Sequence, residues 1–278
     1  KTSYAFTVTA TDADGDGSAT ASAAKAVTIS LVDINEAPAN TIANATKTTA
    51  EDTAVTIDGL SVADVDAGDT SLTVTLTSTN GTLSVANNVT SGLDGSGIAG
   101  SGTGTVTLTG TITAINATLA GTDAVQFTPT LNFTGAAAIS ITSKDDENLQ
   151  DVDADAVGVT VTAVDDAPEV TSSATGTANE ENSDLAIYTA TASDVESEAI
   201  TFTLGGADAS LLEINPSTGV VSLKSQANFE SGKTSYAFTV TATDADGDGS
   251  ATASAAKAVT ISLVDINEAP ANTIANAT

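Results

Sequence analysis

The first 46 residues, KTSYAFTVTATDADGDGSATASAAKAVTISLVDINEAPANTIANAT, return without a change as residues 233–278. The offset is 233 − 1 = 232 residues. Identity over a whole strand–loop–strand region marks a tandem array seen over slightly more than one period. Such arrays are quasi-one-dimensional, each unit burying surface mainly against its neighbours. A period of 232 residues exceeds one small β-sandwich, so the repeating unit is expected to hold two domains.

Two kinds of junction string divide the period. Asp33-Ile34-Asn35-Glu36-Ala37-Pro38 recurs as Asp265 to Pro270, and a related string, Val164-Asp165-Asp166-Ala167-Pro168, lies between them. Each follows an alternating apolar run and ends in Pro, which cannot extend a paired strand and stiffens a linker. Boundaries are therefore expected after Pro38, Pro168 and Pro270. Residues 1–38 become the C-terminal part of one domain, 39–168 and 169–270 two complete ones, and 271–278 the start of the next repeat. Two strands do not fold alone, so 1–38 is expected to need the rest of its domain or a neighbouring chain. The chain starts at Lys1 without Met and reads as a piece of a longer protein.

Strands are expected throughout. Tyr236, Phe238 and Val240 sit two apart, as do Val259, Ile261 and Leu263, and Leu72, Val74 and Leu76, with Thr or Ser alternating in most places. Period two with hydroxyls on the other face is a half-buried strand. One exception is Ile112 to Leu119, whose spacing suits a short helical turn. Gly92 to Gly104 is rich in Gly and Ser and is expected to be a mobile loop.

Charge narrows the chemistry. There are 36 Asp and Glu against 7 Lys and no Arg, giving a formal charge of −29. Phosphate recognition needs Lys and Arg, so nucleic acid is excluded as a partner. No apolar run is long enough to span a bilayer, so no membrane insertion is expected in this segment. Cys and His are absent. That removes thiolate and imidazole nucleophiles, and with them zinc, haem and iron–sulfur sites. What remains in quantity is carboxylate oxygen, the donor that suits calcium.

The acids cluster at turns. Asp12-Ala13-Asp14-Gly15-Asp16-Gly17 returns as Asp244 to Gly249. This is the first half of an EF-hand-like loop, but position twelve is Ala23 or Ala255 rather than Glu. Calcium completed by ligands from elsewhere is the better expectation. Further clusters are Asp64-Val65-Asp66 with Asp69, Asp145-Asp146-Glu147, and Asp194-Val195-Glu196. Two carboxylates ~5 Å apart repel by roughly 3 kcal/mol at an effective dielectric of about 20. Several such pairs at one junction call for a cation.

In order and spacing these strings resemble the cadherin-like and VCBS-type tandem repeats of giant RTX-type bacterial adhesins. Residues 169–270 follow the cadherin pattern: Glu180-Glu181, Asp194-Val195-Glu196, Asn215-Pro216-Ser217-Thr218-Gly219, Phe229-Glu230, Asp244-Ala245-Asp246 and the linker Asp265-Ile266-Asn267-Glu268-Ala269-Pro270. Glu268 and Ala269 depart from the usual Asp and Asn of that linker. Residues 39–168 resemble the VCBS-type repeat through Glu51-Asp52, Asp64-Val65-Asp66, Phe127-Thr128-Pro129, Asn132-Phe133-Thr134-Gly135 and Val164 to Pro168.

The resemblance implies an all-β chain of tandem Ig-like (cadherin-like) antiparallel β-sandwich domains in a linear array, with Ca2+ between consecutive domains. It implies a first ligand set of Asp33, Asn35, Glu36, Asp64, Asp66 and Asp145. A second would use Glu51, Asp165, Asp166, Asp194, Glu196, Asp244 and Asp246. A third would use Glu181, Glu230, Asp265, Asn267 and Glu268.

The function expected is that of an extender in an extracellular, cell-surface adhesin exported by the type I route, with calcium stiffening the junctions. Its partners would be neighbouring domains of the same chain and other copies of itself. At ~3.3 Å per strand residue a domain spans about 40 Å and a period about 80 Å. A self-associating fibre or surface layer, and direct carbohydrate or ice binding by Thr-rich strands, are the rival readings. No enzymatic activity is expected, because the paired acids sit in polar turns among like charges.

Overall fold

The computed structural model describes residues 3–12, 20–32, 34–65, 71–145, 155–181, 185–244 and 252–268. Asp33, Asp66 and Asp246, and most of both Asp-Gly-rich loops, lie outside them. The chain divides into two compact units, Lys1–Ala163 and Val164–Thr278.

In the first unit six strands form one sheet, in the order Thr46–Ala50, Asp155–Thr162, Gly135–Lys144, Ser71–Ser78, Thr105–Thr111 and Ile98–Ala99. All neighbours run antiparallel except Thr46–Ala50, which lies parallel to Asp155–Thr162. A second sheet of Val55–Thr56, Val125–Pro129 and Gly81–Val85 completes the sandwich. The alternation expected from sequence decides which side chains enter. Leu72, Val74, Leu76, Val106 and Leu108 are fully buried with Phe127 and Ile141, while the intervening threonines face outward.

Ile112–Leu119 is an α-helix. Thr111 caps it by accepting the Ala114 N–H at 3.2 Å, and Ile115, Thr118 and Leu119 turn into the core. The Gly- and Ser-rich stretch 92–104 is not the free loop its composition suggests. Leu93 is buried, its N–H bonds the Thr118 hydroxyl at 2.8 Å, and Gly102 donates to the Leu83 carbonyl at 2.7 Å. Glycine is required at position 100, where φ is +77° and a Cβ would sit 2.3 Å from the Thr105 carbonyl oxygen.

The second unit repeats the plan with fewer strands. Thr175–Asn179, Lys257–Val264, Ser235–Asp244 and Ile200–Gly205 form one sheet, and Ala186–Thr189, Val220–Leu223 and Leu212–Ile214 the other. Again the first strand lies parallel to the last, Thr175–Asn179 against Lys257–Val264. Phe238, Val240, Val259 and Ile261 fill the space between sheets with Val221, Leu212 and Phe202. The Tyr188 ring meets Phe238 edge-on at 5.7 Å.

The N-terminal copy of the repeat forms the same hairpin without the same cover. Ser3–Val8 pairs Lys25–Ser30, as Ser235 onward pairs Lys257–Ser262. Tyr4 faces Ile29 across the strands and Phe6 faces Val27. Phe6 is 49% exposed, whereas Phe238, its equivalent, is 2% exposed.

Candidate metal centres

The register of the second unit's larger sheet sets two acidic ends. Ile200 pairs Asp244 at one end, and Asn179 pairs Val264 at the other.

At the Val264 end, strand alternation carries Glu180 inward after Ala178, and Glu180 is fully buried. Its carboxylate accepts the Phe229 N–H at 2.6 Å and the Ile266 N–H at 2.8 Å. These two backbone donors hold its pKa below the usual glutamate value. Glu230 arrives on the short 3-10 turn Phe229–Ser231, which Asn228 caps by accepting the Ser231 N–H. Glu268 arrives on the chain leaving the last strand. One carboxylate oxygen from each of Glu180, Glu230 and Glu268 lies within 4.8 Å of the others. Loss of hydration, then the charges of Glu230, Glu180 and Glu181, push Glu268 above its ordinary pKa.

At the Asp244 end, Asp244 closes its strand nearly buried and accepts the Thr252 N–H at 2.9 Å and the Thr252 hydroxyl at 2.7 Å. Oxygens of Asp165, Glu198 and Asp244 lie within 4.8 Å of one another. Asp194 accepts the Glu198 N–H at 3.2 Å, and Glu196 accepts the Asp166 N–H at 3.4 Å. Burial first, then the charges of Asp166 and Asp194, push Glu196 above its ordinary pKa. Among the described residues, Asp166 and Asp194 each keep one buried carboxylate oxygen without a protein donor. Six carboxylates gathered in this way, with those two oxygens turned inward, can hold a hard, oxygen-seeking cation.

In the first unit Asn35 donates to the Asp145 carboxylate at 2.6 Å across 110 residues of sequence. Asp145 is buried at the end of Gly135–Lys144. Asp64 follows Leu60–Ala63 and is half-buried, while Glu36 is exposed. Glu51 is also buried, its N–H on the Thr162 carbonyl at 2.9 Å.

The structure thus brings Asp165 to Asp244, Asp166 to Glu196, and Glu230 to Glu268. Asp265 and Asn267 are exposed. Two residues enter that sequence reasoning left out of its ligand sets, Glu180 and Glu198. Both carried a period-two signal. Glu180 continues the inward parity of Ala178, so it occupies the place where the exposed Glu181 was expected. Glu198 follows Asp194 and Glu196 at a spacing of two, and all three are half-buried.

No protein-family model matches this chain, and no curated protein matches its sequence. Among solved structures, the extracellular cadherin domains 1-5 of protocadherin gamma B2 superpose with a TM-score of 0.51 at 15% identity, covering 96% of this chain and 47% of that one. The chain therefore spans about half the length of that structure. Mouse cadherin-23 EC22-24 gives 0.47 at 18% identity, covering 94% of this chain and 74% of that one. Protocadherin gamma C5 EC1-3 gives 0.41 at 14% identity, with 95% and 77% covered. At such identities the likeness is one of fold: this chain is all-β, built of tandem Ig-like, cadherin-like sandwich domains.

Proposed function

We propose that this chain is an extender segment of an extracellular, calcium-dependent adhesin, in which Ca2+ held by the carboxylate groups rigidifies the segments joining its domains. The observation that carries this reading is the pair of buried, donor-free oxygens on Asp166 and Asp194, set among Asp165, Glu196, Glu198 and Asp244. Unneutralised, such a group opposes folding by like-charge repulsion and loss of hydration. With a divalent cation the same oxygens become ligands.

The ligands at the Asp244 end would be Asp165, Asp166, Asp194, Glu196, Glu198 and Asp244. At the other end they would be Glu180, Glu230 and Glu268, with Asn35 and Asp145 contributing in the first unit. Asp165 and Asp166 come just after Ala163, where the first unit ends, and Glu268 lies four residues beyond the last strand. Cations there would restrict the backbone through which one domain continues into the next. The cadherin-like fold and the 232-residue repeat suit reach rather than chemistry. A bacterial RTX-type origin, type I export and a non-enzymatic role belong to the same reading.

Small-angle scattering tests it. With calcium the chain should give a defined maximum dimension, and a chelator should broaden the distance distribution. Identical profiles in both conditions would remove calcium stiffening.

A further inference from the structure

Each unit contains one parallel strand pair, and that pair joins the start of its larger sheet to its last strand. Thr46–Ala50 lies against Asp155–Thr162, from Thr46 opposite Gly158 to Ala50 opposite Thr162. Thr175–Asn179 lies against Lys257–Val264, from Thr175 opposite Thr260 to Asn179 opposite Val264. Among the described residues every other strand pair is antiparallel. Backbone bonds lengthen both parallel ladders. Gly158 N–H donates to the Ala45 carbonyl at 2.8 Å, and Glu51 N–H to the Thr162 carbonyl at 2.9 Å. Thr260 N–H donates to the Ala174 carbonyl at 2.9 Å, and Glu180 N–H to the Val264 carbonyl at 3.2 Å. The second ladder has a further tie. Ile266 N–H, beyond the last strand, donates to the Glu180 carboxylate at the end of the first, at 2.8 Å. A bond to an ionised acceptor is stronger than one between neutral groups.

Tension along the chain reaches such a ladder at the leading end of its first strand and leaves at the trailing end of its last. In a parallel pair these are opposite ends of one ladder. Strands loaded at opposite ends slide along each other, so the evenly spaced bonds carry the load together. A pair loaded at one end opens a single bond at a time. The strands met earlier on the chain, Ala39–Ile42 and Glu169–Val170, are held in only four and two residue pairs.

We propose that the two parallel ladders are the load-bearing elements of this chain, each a clamp that keeps its unit closed when the chain is pulled, with the Ile266–Glu180 bond a latch on the second. The proposal takes from the extender reading only that the chain is pulled along its length. It concerns the interior of each unit and needs no calcium at the linkers.

Single-molecule stretching of the full chain tests it. The chain lacks cysteine, so added cysteines place the pulling handles at will. With handles at the two termini, the units are told apart by the length each releases. The clamps enclose 162 − 46 = 116 and 264 − 175 = 89 residues, a difference of about 90 Å of extended chain. Handles at Ser173→Cys and Ala256→Cys, both exposed, load the second ladder at one end instead. There the second unit should open at about half the end-to-end force or less. Equal forces in the two geometries overturn the clamp. Ile266→Pro removes the latch donor and Ile266→Ala keeps it. Pulled from the termini, Ile266→Pro should lower the force of the second unit and leave that of the first unchanged, while Ile266→Ala matches the parent. No loss with Ile266→Pro, or an equal loss with Ile266→Ala, overturns the latch. Each measurement is made with calcium and with chelator. The geometry effect should persist in chelator, and its disappearance there overturns a clamp independent of calcium. Failure of calcium stiffening in scattering leaves these outcomes untouched.

Discussion

The Glu180 carboxylate accepts the backbone N–H of Ile266 at 2.8 Å, from 86 residues away in sequence. Through this bond a side chain at the end of one strand fixes the path of the chain beyond the last strand. Because Ile266 lies two residues before Glu268, the bond also helps hold Glu268 beside Glu230.

Glu180→Gln should therefore weaken calcium binding at that group about tenfold or more, since affinity tracks ligand charge and fixed geometry. Glu181→Gln, one residue away but exposed, should change it by less than about threefold. Calorimetric titration of the two variants separates them, and equal losses would sink the assignment of Glu180 as the inward ligand.

Raised carboxyl pKa values give a signed dependence on pH. Glu196 and Glu268 are both pushed above the ordinary glutamate value of 4.5. Between that value and their raised ones, the folded state binds more protons than the unfolded state. Stability of the chelated chain should therefore rise as pH falls toward 4.5. Calcium competes with those protons, so its affinity should fall over the same range. Urea midpoints measured with calcium and with chelator should differ most near neutral pH and converge as pH falls toward 4.5.

Asp208 titrates in the opposite sense. The Lys233 ammonium at 2.8 Å and the Ala237 N–H at 2.8 Å hold it below its usual value of 3.8. Its contribution is present above that value and disappears as pH falls through the lowered one. Asp208→Asn should cost up to about 1 kcal/mol near neutrality, discounted because Lys233 is partly solvent-exposed. The gap from the parent chain should close as the pH drops below 3.8 and through the lowered value. Denaturant midpoints across that range measure it.

The repeat supplies its own control for packing. Phe238→Ala opens a cavity in a closed core and should destabilise the second unit by about 3–5 kcal/mol. Phe6→Ala is the same substitution in the same 46-residue sequence, at a half-exposed position, and should stay within about 0.5 kcal/mol. Parallel urea unfolding of both variants tests the contrast, and comparable losses would mean the N-terminal hairpin is covered in solution.

Much of the site was legible locally. Period-two alternation gives the strands around Leu72, Val74 and Leu76, and the acidic strings mark turns at sheet ends. Choosing between Glu180 and Glu181 needed strand parity, which the buried Ala178 fixes. Only the resemblance to cadherin-like repeats puts Asp165 with Asp244, and Asn35 with Asp145, in one ligand set; local pattern cannot, because the partners lie far apart in sequence.

The N-terminal hairpin draws the line most sharply. Its 46 residues by themselves determine the strands, the register Tyr4 to Ile29, and the Asp12–Thr20 closing bond, all of which recur at 235–262. These are short-range hydrogen bonds and steric preferences that travel with the sequence. Only the tertiary structure decides that Phe238 is buried and Phe6 is not. Burial depends on the surface that residues 169–232 place opposite the hairpin, and no local sequence encodes its own cover.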